Sequence, residues 1–204
     1  MASVGRCLKW RLIRCQPHSR LNLNAAVDPS LNFVGLALVP LERWPNEQDM
    51  WDELHGGAWA DQDGWETRCQ PEGCVVCVAG RPFGILAELA HSWVTTDPEV
   101  ALFGYVCVIS KVHVVEPYDL TDAQLFSFFK EAMDVARIVS HIINPIKMNY
   151  EIHGNTLPHL HMHLLPRKID DGFVGRPIDL KDFHHTYTDD EVAMLKRALE
   201  PLGG

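Results

Sequence analysis

Residues 157–167 run Leu157-Pro158-His159-Leu160-His161-Met162-His163-Leu164-Leu165-Pro166-Arg167. Strict alternation of histidine with Leu160, Met162 and Leu164 predicts a β-strand over His159–Leu165, because successive side chains of a strand point to opposite faces. Three imidazoles then share one face, about 6.5–7 Å from one to the next, and the apolar residues enter a core on the other. Imidazole titrates near neutral pH and binds metals, and its neutral form is a nucleophile. A lone histidine on a strand is ordinarily a satisfied polar group, and a His-x-His pair can be a metal site alone. Three in register point to catalysis.

Outward from this strand, the chain reads as a mixture of strands and helices. Upstream, Met148–Ile152 is a further strand. Before it, Leu125, Phe128, Phe129, Ala132, Val135, Ala136, Val139 and Ile143 recur at helical spacing. Thr121-Asp122-Ala123-Gln124 has the form of a capping box, and Asn144-Pro145 closes the helix. Gly84–Leu89, Ser92–Thr95 and Gly104–Ile109 read as strands, with turns near His91 and at Asp97-Pro98. Residues 55–73, rich in Gly, Asp and Trp, read as a loop. Apolar segments of strand length occupy 7–15 and 32–39, and 46–54 suits a short helix. Downstream, Thr188–Glu191 is a second capping box that opens a terminal helix through Leu199. Three strands, a long helix and two strands predict an α+β fold, an antiparallel sheet with one long helix packed on a face.

Composition narrows the function. With 47% hydrophobic and 22% charged residues the chain is an ordinary globular one, and no apolar run approaches the roughly 18 residues of a membrane span. The net charge of -9 argues against duplex DNA as a partner. The charge is uneven. Residues 1–27 hold Arg6, Lys9, Arg11, Arg14 and Arg20 and no acid, which leaves 13 basic against 27 acidic residues elsewhere. Such a start suits either an organellar transit peptide or a basic segment beside a polyanionic ligand. A cytoplasmic location is the expectation, with an organelle as the alternative.

His159-Leu160-His161-Met162-His163-Leu164-Leu165 resembles the histidine triad (HIT) signature, His-φ-His-φ-His-φ-φ, at every position. The resemblance extends over a catalytic core at residues 74–168, between an N-terminal extension at 1–73 and a C-terminal tail with a terminal helix at 169–204. It implies the sheet-and-helix order read above, and a homodimer in which two sheets join edge to edge. It also implies site residues. Gly154-Asn155-Thr156, otherwise an ordinary hairpin turn, matches the family's phosphate-cradling turn, and Asn149 matches a residue that positions the phosphate or its leaving group. Asp97 has two readings, a turn aspartate before Pro98 and, sixteen positions ahead of His113 in Lys111-Val112-His113, an acceptor for ribose hydroxyls. Tyr105 stands where many members carry a histidine.

Six cysteines without a secretion signal argue against a disulfide framework. Cys74-Val75-Val76-Cys77 has metal-knuckle spacing, with Cys69 a bystander upstream. By resemblance to a zinc-bearing branch of the family, Zn2+ is held by Cys74, Cys77, His113 and His159. Four protein ligands close the shell, so the metal is structural.

The activity so implied is nucleotide hydrolysis. His161 attacks an α-phosphorus, a nucleotidyl-histidine forms, and water releases a nucleoside monophosphate. His163 binds a non-bridging oxygen; uridylyltransferase relatives typically carry glutamine there, so His163 favours hydrolysis. The expected substrate is a purine nucleotide, above all a dinucleoside polyphosphate, with Mg2+ entering only as a companion of the polyphosphate. The rival readings are a nucleotidyltransferase or phosphorylase using phosphate or another acceptor, and a nucleotide-binding interaction protein with vestigial catalysis.

Overall fold

A computed structural model describes residues 62–203. The expectations for 7–15, 32–39 and 46–54 and for the basic start lie outside these described residues. In chain order the elements are helix α1 (Gln62–Arg68), a 3-10 turn (Pro71–Gly73), helix α2 (Val75–Ala79), strands β1 (Ile85–Glu88), β2 (Ser92–Thr95), β3 (Glu99–Val100) and β4 (Val106–Ser110), helix α3 (Asp122–Ile143), strands β5 (Lys147–Glu151), β6 (His161–Arg167) and β7 (His185–Thr186), and helix α4 (Asp189–Leu199). Strands β1-β2-β4-β6-β5 form one sheet in that order, every neighbouring pair antiparallel. This is the α+β architecture expected.

Helix α3 forms where its sequence says it should. The Thr121 hydroxyl accepts from the Gln124 amide and the Gln124 side chain accepts from the Thr121 amide, satisfying two of the orphan donors of the first turn. At the other end Asn144 takes a left-handed conformation, φ 50°, and Pro145 follows. Phe128, Ala132, Val135, Ala136, Val139 and Ile143 form its buried stripe. They pack on Val94, Val106, Val108, Met162 and Leu164 of the sheet, where Leu195 and Leu199 of α4 join them. The opposite face of the sheet carries Cys107, Ile109, His161, His163 and Leu165. Register locks this division. Val108 pairs with Met162 and Val106 with Leu164 on the helix side, while Cys107 pairs with His163 and Ile109 with His161 on the other.

Several sequence expectations need correction. The triad strand begins at His161, not His159, and runs on to Arg167. The His159 amide donates back to the Leu157 carbonyl, which holds that residue out of the ladder. Pro166 is tolerated because β4 has already ended at the Val106–Leu164 pair, while the next residue, Arg167, accepts from Ile146 on the other flank. The strand expected from Gly104 begins at Val106, because Gly104 turns at φ 89° with the Ile143 and Pro166 side chains where a Cβ would sit. The stretch read as a loop contains α1 and the 3-10 turn. The cysteine knuckle is helical: Cys74 caps α2 and Cys77 lies inside it. The pairing of β3 with β7 in a second, two-stranded sheet went unforeseen, since two-residue strands carry no periodicity.

Phe128 is 1% exposed at the centre of the helix–sheet layer. Phe128→Ala is expected to lower stability by about 3–5 kcal/mol, from lost burial plus the cavity left behind, as measured by chemical denaturation.

Candidate active site and metal centre

The triad histidines do three different things. His161 sits at the start of β6, its Nδ1–H donating to the His159 carbonyl at 2.6 Å. A carbonyl can only accept, so the ring proton is on Nδ1 and Nε2 keeps its lone pair. Burial lowers the pKa of His161, and the charges of His159 and His153 add to this against the opposing hydrogen bond. His163, next along the same face, has its ring centroid 4.8 Å from that of His161. Burial first, then His161 and His153, depress it to about 3. Its Nδ1 lies 2.9 Å from the Tyr105 hydroxyl, with the two rings stacked. Burial raises the Tyr105 phenol well above its ordinary value, with the charge of Asp97 adding to the effect.

His159 turns away into a cluster with Cys74, Cys77 and His113, whose ligand atoms all lie within 4.8 Å of one another. Its Nδ1 is 3.3 Å from Cys74 Sγ, 3.7 Å from Cys77 Sγ and 3.2 Å from His113 Nδ1, and His113 Nδ1 is 3.3 Å from Cys77 Sγ. The elements explain the convergence. One helical turn brings Cys74 and Cys77 together, the loop after β4 delivers His113, and the bend before β6 delivers His159. The outer nitrogens are anchored: His159 Nε2–H donates to the Ser110 carbonyl at 2.7 Å and His113 Nε2–H to the Cys69 carbonyl at 3.0 Å. Both inner nitrogens therefore present lone pairs to each other and to two sulfurs, unless a proton or a cation lies between them. A tetrahedral zinc, with bonds of about 2.0–2.1 Å to nitrogen and 2.3 Å to sulfur, places its ligand atoms about 3.4–3.8 Å apart. The four separations given, 3.2–3.7 Å, lie close to that shape, and the cluster, with all its ligand atoms within 4.8 Å of one another, can hold a metal. Burial alone would raise the Cys74 thiol, but hydrogen bonds from His113 and His159 outweigh it and bring it down to about 5. Cys69 joins through its carbonyl, as a support of His113.

A cleft of about 110 Å³ opens beside His161. Gly154, Asn155, Ile152 and His153 line it from the β5–β6 connection, and Trp65, Val115 and Glu116 from across it. Gly154 has φ 64°, a conformation that favours glycine. Thr156 follows in the same turn. Asn149 lies opposite Leu165 and Glu151 opposite His163, so both share the histidine face of the sheet. Asp97 is half-buried after β2, and its charge acts on Tyr105 and Cys107, behind His163. A larger hollow of about 290 Å³, lined by Phe103, Lys168 and His185 among others, contains none of the triad.

Trp65 and His153 escaped the sequence reading, and Tyr105 entered it without a partner. Trp65 lies on a helix of seven residues, too short for a clear period. Tyr105 shows its bond to His163 only in the fold. His153 did carry a signal: Asn149, Glu151 and His153 continue on one face the alternation seen in the triad.

The HIT domain model matches residues 85–170. Over 104 residues the chain is 30% identical to the protein hit of Bacillus subtilis, a match covering 47% of this chain and 72% of that one. It is also 30% identical over 86 residues to an asymmetrical bis(5'-nucleosyl)-tetraphosphatase of Schizosaccharomyces pombe, covering 40% of this chain and less than half, 46%, of that enzyme. A solved histidine triad protein from Marinobacter aquaeolei superposes with TM-score 0.51 at 25% identity, over 58% of this chain and 86% of the other. One from Bradyrhizobium japonicum gives TM-score 0.51 at 23% identity, over 58% and 88%. The chain belongs to the histidine triad, or HIT, family. Among the described residues no helix is long and apolar enough to cross a membrane.

The His163 shift has a consequence for stability. In the unfolded chain a histidine takes its proton near pH 6.5, in the fold His163 does so only near 3. Between these values the unfolded state binds more protons. The stability this neutral ring contributes is therefore complete above about pH 6.5 and is lost as the pH falls toward 3, by at most about 1.4 kcal/mol per pH unit. The melting temperature of His163→Asn should fall less between pH 7 and pH 5 than that of the unaltered protein. Parallel falls would show that His163 does not carry this dependence.

Proposed function

We propose that this chain is a nucleotide hydrolase that cleaves at an α-phosphate through a nucleotidyl-histidine intermediate. The observation that carries the reading is the 2.6 Å bond from His161 Nδ1–H to the His159 carbonyl. It leaves a bare Nε2 on a ring kept neutral by burial, beside a cleft with a glycine turn at its edge. His161 Nε2 attacks phosphorus in line, the leaving group departs, and water then attacks the phosphorus and restores the imidazole. In this reading Tyr105, held as a neutral phenol, donates to His163 Nδ1. The proton of His163 then lies on Nε2, directed at a non-bridging oxygen. Adjacent histidines thus hold opposite tautomers, one accepting a bond to phosphorus and one donating to its oxygen. Gly154, Asn155 and Thr156 supply amide and side-chain donors for the growing charge, and Asn149 positions the phosphate from the same face of the sheet. Asp97 is assigned the ribose hydroxyls.

The substrate we propose is a purine nucleotide with a leaving group on its α-phosphate, above all a dinucleoside polyphosphate. The likeness to the yeast tetraphosphatase supports this class. His161→Ala should abolish turnover of diadenosine polyphosphates, a loss of about 10⁴-fold or more, while nucleotide binding measured by calorimetry persists. Retained turnover in that variant would remove His161 from the role.

Zinc is the metal we propose for Cys74, Cys77, His113 and His159. With four protein ligands it offers no open position and supplies structure, tying α2 and the loop after β4 to the start of β6. Protein purified without added metal should contain about one zinc per chain by elemental analysis. The Cys74→Ser/Cys77→Ser double variant should lose it and melt at a lower temperature, because metal binding and folding are coupled. Unchanged melting would count against the assignment.

A further inference from the structure

We propose that Glu151 and His153 form an acid–base pair that protonates the leaving group of the reaction at His161 and then deprotonates the attacking water; this rests on the hydrolase reading above. Neither residue belongs to the triad, to the phosphate turn or to the metal cluster.

The geometry begins with the β5–β6 ladder, which sets Glu151 directly opposite His163. Two residues on, His153 turns its Nε2 back to the Glu151 carboxylate at 2.9 Å. Its ring stands edge-on to that of His163, centroids 5.4 Å apart, and His163 stands edge-on to His161 at 4.8 Å. His153 and His161 line the same cleft, with Gly154 and Asn155 between them in sequence. The His153 side chain is 38% exposed, enough to meet a substrate. With Nε2–H directed at the carboxylate, Nδ1 is the nitrogen left for the cleft.

Comparison of the cleft's histidines points to the same residue: His159 has both ring nitrogens engaged, by the Ser110 carbonyl and by the cysteine–histidine cluster. No lysine or arginine is among its described lining residues, and Glu116 is the one carboxylate there. His161 has its proton on Nδ1, bonded to a carbonyl. His163 is depressed to about 3 by burial and by the charges of His161 and His153, so near neutral pH it has no imidazolium proton to transfer. Departure of a poor leaving group needs a proton, and water needs a base. His153, with the Glu151 carboxylate engaging Nε2 and fixing the ring's orientation, is the histidine in the cleft left for both tasks. The groups that face it are Glu151, His161 and His163.

The steps balance. As the bond from His161 Nε2 to phosphorus forms, the bond from phosphorus to the leaving atom breaks. Its electron pair stays on that atom, which takes the proton from His153 Nδ1. In the second half the water oxygen bonds to phosphorus, the electron pair of the P–N bond returns to Nε2, and the water proton passes to His153. Nothing is oxidised or reduced.

The test compares two substrates of one nucleoside monophosphate on the full, zinc-loaded chain. The p-nitrophenyl ester releases a stable anion that needs no proton, whereas the phosphoramidate releases an amine that does. In His153→Gln, kcat/KM, which reports the first half-reaction, should fall about 10²–10⁴-fold on the phosphoramidate and less than about tenfold on the ester. The ester should then show a burst of p-nitrophenolate followed by slow turnover, because water lacks its base. Glu151→Gln should give a weaker version of the same pattern. Unchanged melting and zinc content would establish that both variants fold. Equal losses on the two substrates, or no loss on either, would overturn the acid–base role alone. Unaltered protein inert toward both, or His161→Ala active on either, would overturn the hydrolase reading and this proposal with it.

Discussion

The main-chain carbonyl of His159 is the point on which the site turns. It receives the Nδ1–H of His161 and so decides which nitrogen of that ring stays bare. The residue that offers it is itself fixed twice, by its Nε2–H on the Ser110 carbonyl and by its Nδ1 among the donors of the cysteine–histidine cluster. One residue therefore joins the proposed metal to the proposed nucleophile without coming between the nucleophile and the cleft. The inner nitrogens of His159 and His113 and the two sulfurs converge within 4.8 Å of one another, so whatever lies between them also holds the residue that carries this carbonyl. The proposed metal thereby bears on the proposed chemistry through the residue that both share.

Imidazole has two nitrogens and, when neutral, one proton. Each histidine of the site has one nitrogen engaged by a fixed partner: the Ser110 carbonyl for His159, the His159 carbonyl for His161, Tyr105 for His163, Cys69 for His113 and Glu151 for His153. The partner determines what the other nitrogen can do. Five similar side chains thereby acquire distinct chemistry within one small volume. Burial supplies the rest, keeping His161 and His163 neutral where an exposed pair would compete for protons.

The sheet makes this possible by being two-faced. Its helix side is closed by the stripe of α3 and by Leu195 and Leu199 of α4, a continuous apolar layer. Its histidine side is backed by Tyr105, Cys107 and Leu165 and by the C-terminal residues Phe173 and Ile178. A shift of one residue in the β4–β6 register would exchange the two faces, sending the imidazoles under the helix. The register that packs Val106, Val108, Met162 and Leu164 is thus also the one that presents the site.

Much of this was legible in residues alone. The two capping boxes, the stripe of α3, the antiparallel order and the triad alternation are local patterns, and local patterns report local structure. The motif at 159–165 likewise announced the family. What the sequence could not determine depends on residues far apart in the chain. The bend that takes His159 out of β6 is visible only with Cys74, Cys77 and His113 in place, 85, 82 and 46 residues away. Tyr105 faces His163 because two strands pair across 58 residues, and β7 exists only because β3 lies beside it. The sequence by itself determined which side chains of β6 share a face, from His161 onward, because the two-residue period of a strand is built into its backbone geometry. Only the tertiary structure decided which nitrogen of each histidine is free, because that depends on a partner brought near by folding.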